Sequence, residues 1–412
     1  MNRRGNGRLS RRRLLGSIVA GGAAALAGCL SGAALTGDDT PSVGTLDDGT
    51  LLEADDDAID GVAESALTDR PTTGWRIPEL APLDDVMLSY MDERKVPTGT
   101  LGVVHDGEVV LERGYGWQDR TLTEPVAPDT PFRIGSISKA ITDATVYQLI
   151  SDGELSYDDR VVPLLDVEPP SGSVADERVH EITVQHLVNH RGGWDREETN
   201  DPPFEPRVMI EELDTTAPLT TEDLARWVLD TRLQFDPGTE KAYSNVGYSL
   251  LELVIERVTG RDYNAVVRDR VLALAGIDEI YPGRTLPENR SLGEIWYADP
   301  TTCPDVTTPQ PGDRTACARG GFSMSLLRAA AGHVASTTGL LSYLDTYWLS
   351  GPPRDEGTRR LWQYGSLPGA FAWTCQRRDD VSFVALFNRR GTKPKAIGDA
   401  LNQALDDIDQ WP

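Results

Sequence analysis

The sequence predicts an α+β fold: one sheet built from strands at the two ends of the globular part, with a mainly helical region inserted between them. Three observations predict it. Thr98 to Val104 and Glu108 to Gly114 read as two strands around the tight turn His105-Asp106-Gly107. Ala370 to Gln376 and Val381 to Phe387 read as two more, around Arg377-Arg378-Asp379-Asp380. Between these pairs lie long helical patterns such as Ala140 to Ile150 and Leu250 to Val258. A sheet assembled from distant halves, with helices inserted, satisfies all three.

The N-terminal residues are expected to stand outside that fold. Ser10-Arg11-Arg12-Arg13-Leu14-Leu15 reads as a twin-arginine export signal, and the apolar run behind it leads to Cys29. Leu26-Ala27-Gly28-Cys29 resembles a lipobox, whose cysteine becomes lipid-modified after cleavage, so residues 1–29 are expected to form a lipoprotein signal. The competing reading is an uncleaved membrane anchor, because Leu14 to Leu35 is nearly long enough to span a bilayer. Either reading places the rest of the chain outside the cell, tethered to the membrane. No lysine or arginine occurs between Arg13 and Arg70, and Gly, Thr, Asp and Ala dominate. Residues 30–75 are therefore expected to form an acidic, self-repelling, disordered linker, with the globular domain over 76–412.

Composition narrows the partners. The 412 residues carry a formal net charge of -25, which argues against nucleic acid as a partner. Paired acids such as Asp38-Asp39, Asp47-Asp48 and Asp84-Asp85, with scarce lysine, suggest a surface adapted to high salt. Salt shortens the range of that self-repulsion to roughly 3 Å at 1 M. After Cys29 three cysteines remain. Cys303 and Cys317 bracket a loop rich in Pro, Thr and Asp, and in an oxidising exterior they are candidates for a disulfide. Cys375 then falls inside a strand as a small buried residue.

In the globular part, Leu80, Leu83, Met87, Tyr90 and Met91 place a helix over Leu80 to Arg94. His105, at the hairpin tip, is expected to face solvent rather than to react. The decisive stretch follows: Arg133-Ile134-Gly135-Ser136-Ile137-Ser138-Lys139-Ala140. Ser136 and Lys139 are three residues apart, so on one helical turn they share a face. A serine hydroxyl needs a nearby base before it attacks, and a lysine whose pKa is lowered can serve. Lysine occupies only positions 95, 139, 241, 393 and 395 among 40 basic residues. A chain that prefers arginine has placed here the cation that can release a proton.

The remaining stretches carry weaker signals. His186 and His190 are four apart, a metal-compatible spacing on a helix, but no Glu adjoins His186 and Arg191-Gly192-Gly193 ends the segment. Structural histidines are expected, and no metal or cofactor. Phe235-Asp236-Pro237-Gly238 reads as a turn, followed by Tyr243-Ser244-Asn245 in the loop before the Leu250 helix, which Gly260 ends. Gly339 to Tyr347 reads as a short helix, Gln363 to Gly369 as turn-prone, and Lys395 to Ile408 as the closing helix.

Four of these stretches together resemble the serine β-lactamase and penicillin-binding protein superfamily, in particular its class C β-lactamase-like branch with family VIII esterases and D-amino-acid peptidases. They are Pro131-Phe132-Arg133-Ile134-Gly135-Ser136-Ile137-Ser138-Lys139, Thr183-Val184-Gln185-His186-Leu187, Pro237-Gly238 with Tyr243-Ser244-Asn245, and Gly365-Ser366-Leu367-Pro368-Gly369. The resemblance covers about residues 78–410. It implies an αβα architecture: an antiparallel sheet flanked by the terminal helices (76–135 and 318–412) and an inserted helical region (136–317). It implies Ser136 as nucleophile, Lys139 as its proton acceptor, Tyr243 sharing the base role and Asn245 orienting Lys139. Gln363-Tyr364-Gly365 stands where relatives carry Lys-Thr-Gly or His-x-Gly. The backbone N–H groups of Ser136 and Ser366 would form the oxyanion hole, worth roughly 3 kcal/mol per donor. Gln363 lacks the charge that helps relatives hold a substrate carboxylate. The expected activity is therefore hydrolysis of a small-molecule or short-peptide acyl substrate, as a carboxylesterase first. The alternatives are a D-Ala-type peptidase or β-lactamase, or a silent lipoprotein that keeps the fold for binding.

Overall fold

In the computed structural model, residues 64–412 are described, apart from Asn200, residues 309–312, Glu356, Thr358 and Thr392. The expected export signal, Cys29 and most of the expected linker lie outside the described residues. Helix α1 (Ala81–Glu93) buries Leu83, Met87, Tyr90 and Met91 on one stripe. Strands β1 (Gly99–His105) and β2 (Glu108–Tyr115) form the first hairpin, turning where Asp106 and Gly107 both take positive φ. Helix α2 (Ser138–Ser151) follows a single 3₁₀ turn over Gly135–Ile137. Helix α3 (Asn245–Thr259) ends at Gly260, which has φ +64°. Helix α4 (Thr337–Thr346) precedes strands β3 (Leu361–Leu367), β4 (Ala370–Gln376) and β5 (Val381–Phe387), and α5 (Lys395–Asp406) closes the chain.

The sheet is antiparallel throughout, in the order Thr72–Thr73, β2, β1, β5, β4, β3. Its two halves join where β5 pairs with β1, from Phe387 opposite Gly99 to Val381 opposite His105. The expected union of distant strands is thus present. Alternation decides which layer each side chain enters. Phe371, Trp373 and Cys375 pack with Phe383 among the α1 and α5 side chains. Ala370, Ala372, Val384 and Leu386 belong to the other core, with Leu340, Leu341 and Leu344 of α4. Covering both faces makes the sequence a helix–sheet–helix sandwich, and each large apolar side chain so buried contributes about 1.5–3 kcal/mol.

Three expectations need correction. The folded body begins before residue 76: Ala66 is buried, and Thr72 and Thr73 pair with Tyr115 and Gly114. Two residues held by backbone pairing leave no periodicity to read. Helix α3 starts at Asn245 rather than Leu250, with the Ser244 hydroxyl accepting from the Gly247 N–H at 3.4 Å. Asn245 through Ile255 are all buried, so this half of the helix has no polar stripe to mark it. The stretch Gln363–Leu367, expected as turn, is strand, and only Pro368 and Gly369 turn. Its Gly and Ser carry little strand propensity; the ladder to β4, with Gln363 opposite Thr374, holds it extended. The inserted region, expected to be mainly helical, also carries short strands. Ile280–Pro282 joins Phe132–Arg133 and His333–Ala335 in a second sheet, and Thr302–Pro304 pairs with Arg314–Ala316 beside the Cys303–Cys317 disulfide. Cys375 is free and buried. His105 stacks on Trp411 at 4.1 Å, half-covered by a tail whose approach no local pattern shows.

Candidate active site

The site lies where the turn ahead of α2 passes the edge strand β3. Gly135 has φ +51°, and a Cβ there would meet the Ser366 N at 2.8 Å. A Cβ on Gly365 would sit 1.8 Å from the Ile134 carbonyl oxygen and 2.8 Å from the Ser136 N. Two glycines thus let the two backbones touch, which brings the N–H-bearing segments of Ser136 and Ser366 side by side. The Gln363 amide donates to the Ser136 carbonyl oxygen at 2.7 Å, fixing strand to turn a second time.

On the helical side the structure brings Ser136, Lys139, Tyr243 and Asn245 together. The Ser136 hydroxyl lies 2.5 Å from the Tyr243 hydroxyl and 3.3 Å from Lys139 Nζ. Lys139 donates to Asn245 Oδ1 at 2.6 Å and to the Ala330 carbonyl at 2.8 Å. Its Nζ also lies over the Tyr243 and Tyr248 rings, 4.7 and 5.2 Å from their centroids. Burial pushes the Lys139 pKa down to about 7; nearby Asp201 opposes that shift and Arg196 adds to it. Burial pushes the Tyr243 phenol the other way, well above its ordinary range. Of the two groups touching Ser136 Oγ, the lysine is therefore the one that is easily neutral and able to accept a proton. A neutral amine can give its two N–H groups to Asn245 and Ala330, leaving its lone pair for the serine hydroxyl.

The strand expected to bind substrate lies against the Ser136 turn, and its side chains already have partners. Gln363 spends its amide on the nucleophile's own turn. Tyr364 stacks its ring on Trp373 and Trp362 in the α1–α5 layer, with Arg196 and Arg390 in electrostatic reach of its phenol. Ser366 accepts from Arg390 Nε at 2.8 Å.

The structure adds groups that no motif marked. The carboxylate of Asp201 accepts from Asn245 Nδ2. The guanidinium of Arg196 covers the Tyr243 ring at 4.5 Å. Tyr248 donates to Asp143, whose burial raises its pKa to about 8. The two histidines of the candidate pair have separate tasks. His186 closes a capping box with Thr183 at the start of Val184–Val188. His190 Nδ1 accepts from the Ser244 N–H at 3.3 Å, and its ring leans on Tyr243 and Tyr248. Burial, then the charge of Lys139, hold the His190 pKa well below its usual value, so it stands neutral under the site. Among the described residues no group of His, Cys, Asp and Glu could hold a metal ion.

Comparison with known proteins gives a consistent result. The family model described as Beta-lactamase matches residues 83–407. A probable fimbrial assembly protein FimD, serogroup H1, of Dichelobacter nodosus is 31% identical over 195 residues, 45% of this chain and 44% of that protein. The chain spans about half the length of the curated relatives it matches. Among solved structures, the octameric penicillin-binding protein homologue from Pyrococcus abyssi superposes with a TM-score of 0.59 at 20% identity, over 81% of this chain and 79% of that one. EstCE1, a hydrolase with promiscuous acyltransferase activity, superposes at 0.57 and 20% identity, over 78% and 98%.

Proposed function

The chain belongs to the beta-lactamase family, whose members are serine hydrolases, and on that premise we propose that it hydrolyses esters through an acyl-enzyme on Ser136. One observation carries this reading: Ser136 Oγ sits between a buried Lys139 and the Tyr243 phenol. Lys139 takes the hydroxyl proton as Oγ bonds to the substrate carbonyl carbon, and the carbonyl electrons move onto its oxygen. The N–H groups of Ser136 and Ser366 receive that oxyanion. Collapse of the intermediate expels the alcohol, which takes a proton through Tyr243 as Lys139 returns to neutral. Water then repeats the sequence on the acyl-enzyme and frees Ser136.

Gln363 supports an ester over a β-lactam, because it is neutral and bonded to the Ser136 carbonyl. A second reading, as D-Ala-type peptidase or β-lactamase, draws on Arg196 and Arg390, two guanidiniums beside Tyr243 and Ser366 that could attract a substrate carboxylate. The experiment is a fluorophosphonate probe in molar salt, followed by p-nitrophenyl esters beside nitrocefin. We expect Ser136-dependent labelling that Ser136→Ala abolishes, and faster turnover of short acyl esters. Faster nitrocefin turnover overturns the esterase assignment, and no labelling of folded wild type leaves a binding role for the fold.

The same reading includes export through the twin-arginine signal, tethering at Cys29 and an acidic surface suited to high salt. Cys29→Ser is expected to move the protein from the membrane to the soluble fraction after ultracentrifugation. Retention in the membrane would point to the uncleaved apolar anchor.

A further inference from the structure

The Asn245 side chain has two unlike ends, and its partners decide which end faces Lys139. Its oxygen takes the Lys139 N–H at 2.6 Å, and its nitrogen donates to Asp201 Oδ2. A carboxylate can only accept, so it forces the nitrogen toward itself and the oxygen toward the lysine. Asp201 stands just ahead of the 3₁₀ turn Pro202–Phe204, on a segment remote in sequence from Ser136 and from Tyr243. Its other oxygen, Oδ1, is buried without a hydrogen-bond partner among the described residues. A solvated surface acid has no reason to accept that cost.

We propose that Asp201 is a positioning residue for the reaction: it turns the Asn245 amide so that oxygen faces Lys139, and its negative charge balances the proton Lys139 accepts from Ser136. The inference rests on the acyl-enzyme reading above. When Oγ bonds to the carbonyl carbon, the proton arriving at Nζ creates a buried ammonium. Asn245 Oδ1 and the Ala330 carbonyl receive its N–H groups, and Asp201 supplies the opposite charge one amide away. The other groups facing Lys139 do not replace it. Arg196 carries the same sign and opposes protonation. Burial pushes the carboxyls of Asp143 and Asp201 up alike, but Asp143 is taken by the Tyr248 hydroxyl, whereas Asp201 is joined to Nζ through Asn245 and raises the Lys139 pKa more; His190 is held neutral. Tyr243 and Tyr248 offer ring faces.

Two variants separate orientation from charge. Asp201→Asn keeps an oxygen that can accept from Asn245 and removes the charge. Asp201→Ala removes both. Fluorophosphonate labelling of Ser136 is measured as a rate against pH for wild type and each variant, with folding checked by thermal melting. The wild-type rate should rise with a midpoint near pH 7, where Lys139 loses its proton. In Asp201→Asn the midpoint should fall by about one pH unit, because the larger of the two opposing charges is gone. In Asp201→Ala the plateau should also drop, by about tenfold, as the amide loses its orientation. A folded Asp201→Asn whose midpoint matches wild type, or whose rate falls equally at every pH, overturns the inference while Ser136 labelling survives. Wild type that does not label at Ser136 overturns the acyl-enzyme reading and this inference together.

Discussion

The two walls of the site are built on different principles. The helical wall is polar, with Lys139 and Asn245 buried and Ser136 and Tyr243 half-buried, and it is joined by side-chain hydrogen bonds of 2.5–3.3 Å. The sheet wall, Gln363 to Ser366, meets the turn mainly through backbone, where Gly365 faces Gly135 with no Cβ on either, and through one side-chain amide on the Ser136 carbonyl. A hydrogen-bonded polar cluster depends on the identity of every member, because one wrong group leaves its neighbours buried and unpaired. A backbone contact depends on shape: it excludes any side chain at Gly135 and Gly365 and leaves the other side chains freer to change. The helical wall should therefore govern whether reaction occurs, and the sheet wall which acyl group is accepted.

The largest expected effect tests the helical wall. Lys139→Arg keeps a cation that can donate to Asn245 and Ala330, but arginine cannot give up its proton. The variant should remain folded and lose about 10³-fold or more in kcat/KM toward a p-nitrophenyl ester. Near-normal turnover would remove Lys139 from the base role and collapse the distinction between the walls.

A smaller effect follows from the same lysine in the wild type. Its pKa is lowered to about 7, so the ammonium form prevails below that value and the neutral base above it. kcat/KM should fall about tenfold for each pH unit below 7 and level off above it. A profile still climbing toward pH 10 would mean that Lys139 keeps its proton at neutral pH, contrary to its burial.

The walls also differ in how much of them the sequence discloses. Ser136 and Lys139 are legible because three residues on one helical turn fix their relation without knowledge of the fold. The two hairpins are legible because in each a pair of apolar runs brackets a short polar turn, and that signal is local. Tyr243 and Asn245 acquire meaning only beside the first motif. Asp201 is not legible: ahead of Pro202-Pro203 it reads as an ordinary turn residue, and folding alone brings it to Asn245. Arg196 and Arg390 are two among many arginines, and no neighbour in sequence marks them. Strand β3 is obscured by its own function, since the glycine that admits the Ser136 turn also lowers its strand propensity.

The smallest expected effect tests the sheet wall. Gln363→Met removes the 2.7 Å bond to the Ser136 carbonyl while nearly keeping side-chain volume. A single hydrogen bond of this kind is worth about 1 kcal/mol, so kcat/KM for the preferred ester should fall by about fivefold. The loss should be similar for an ester with a free carboxylate and for its neutral counterpart, because an amide that holds the turn does not choose between them. A fall confined to the carboxylate-bearing ester would mean that Gln363 leaves Ser136 to meet the substrate. A fall of about 10³-fold for both would show the sheet wall to be as exacting as the helical one. Either outcome would end the division of labour between polar cluster and backbone contact.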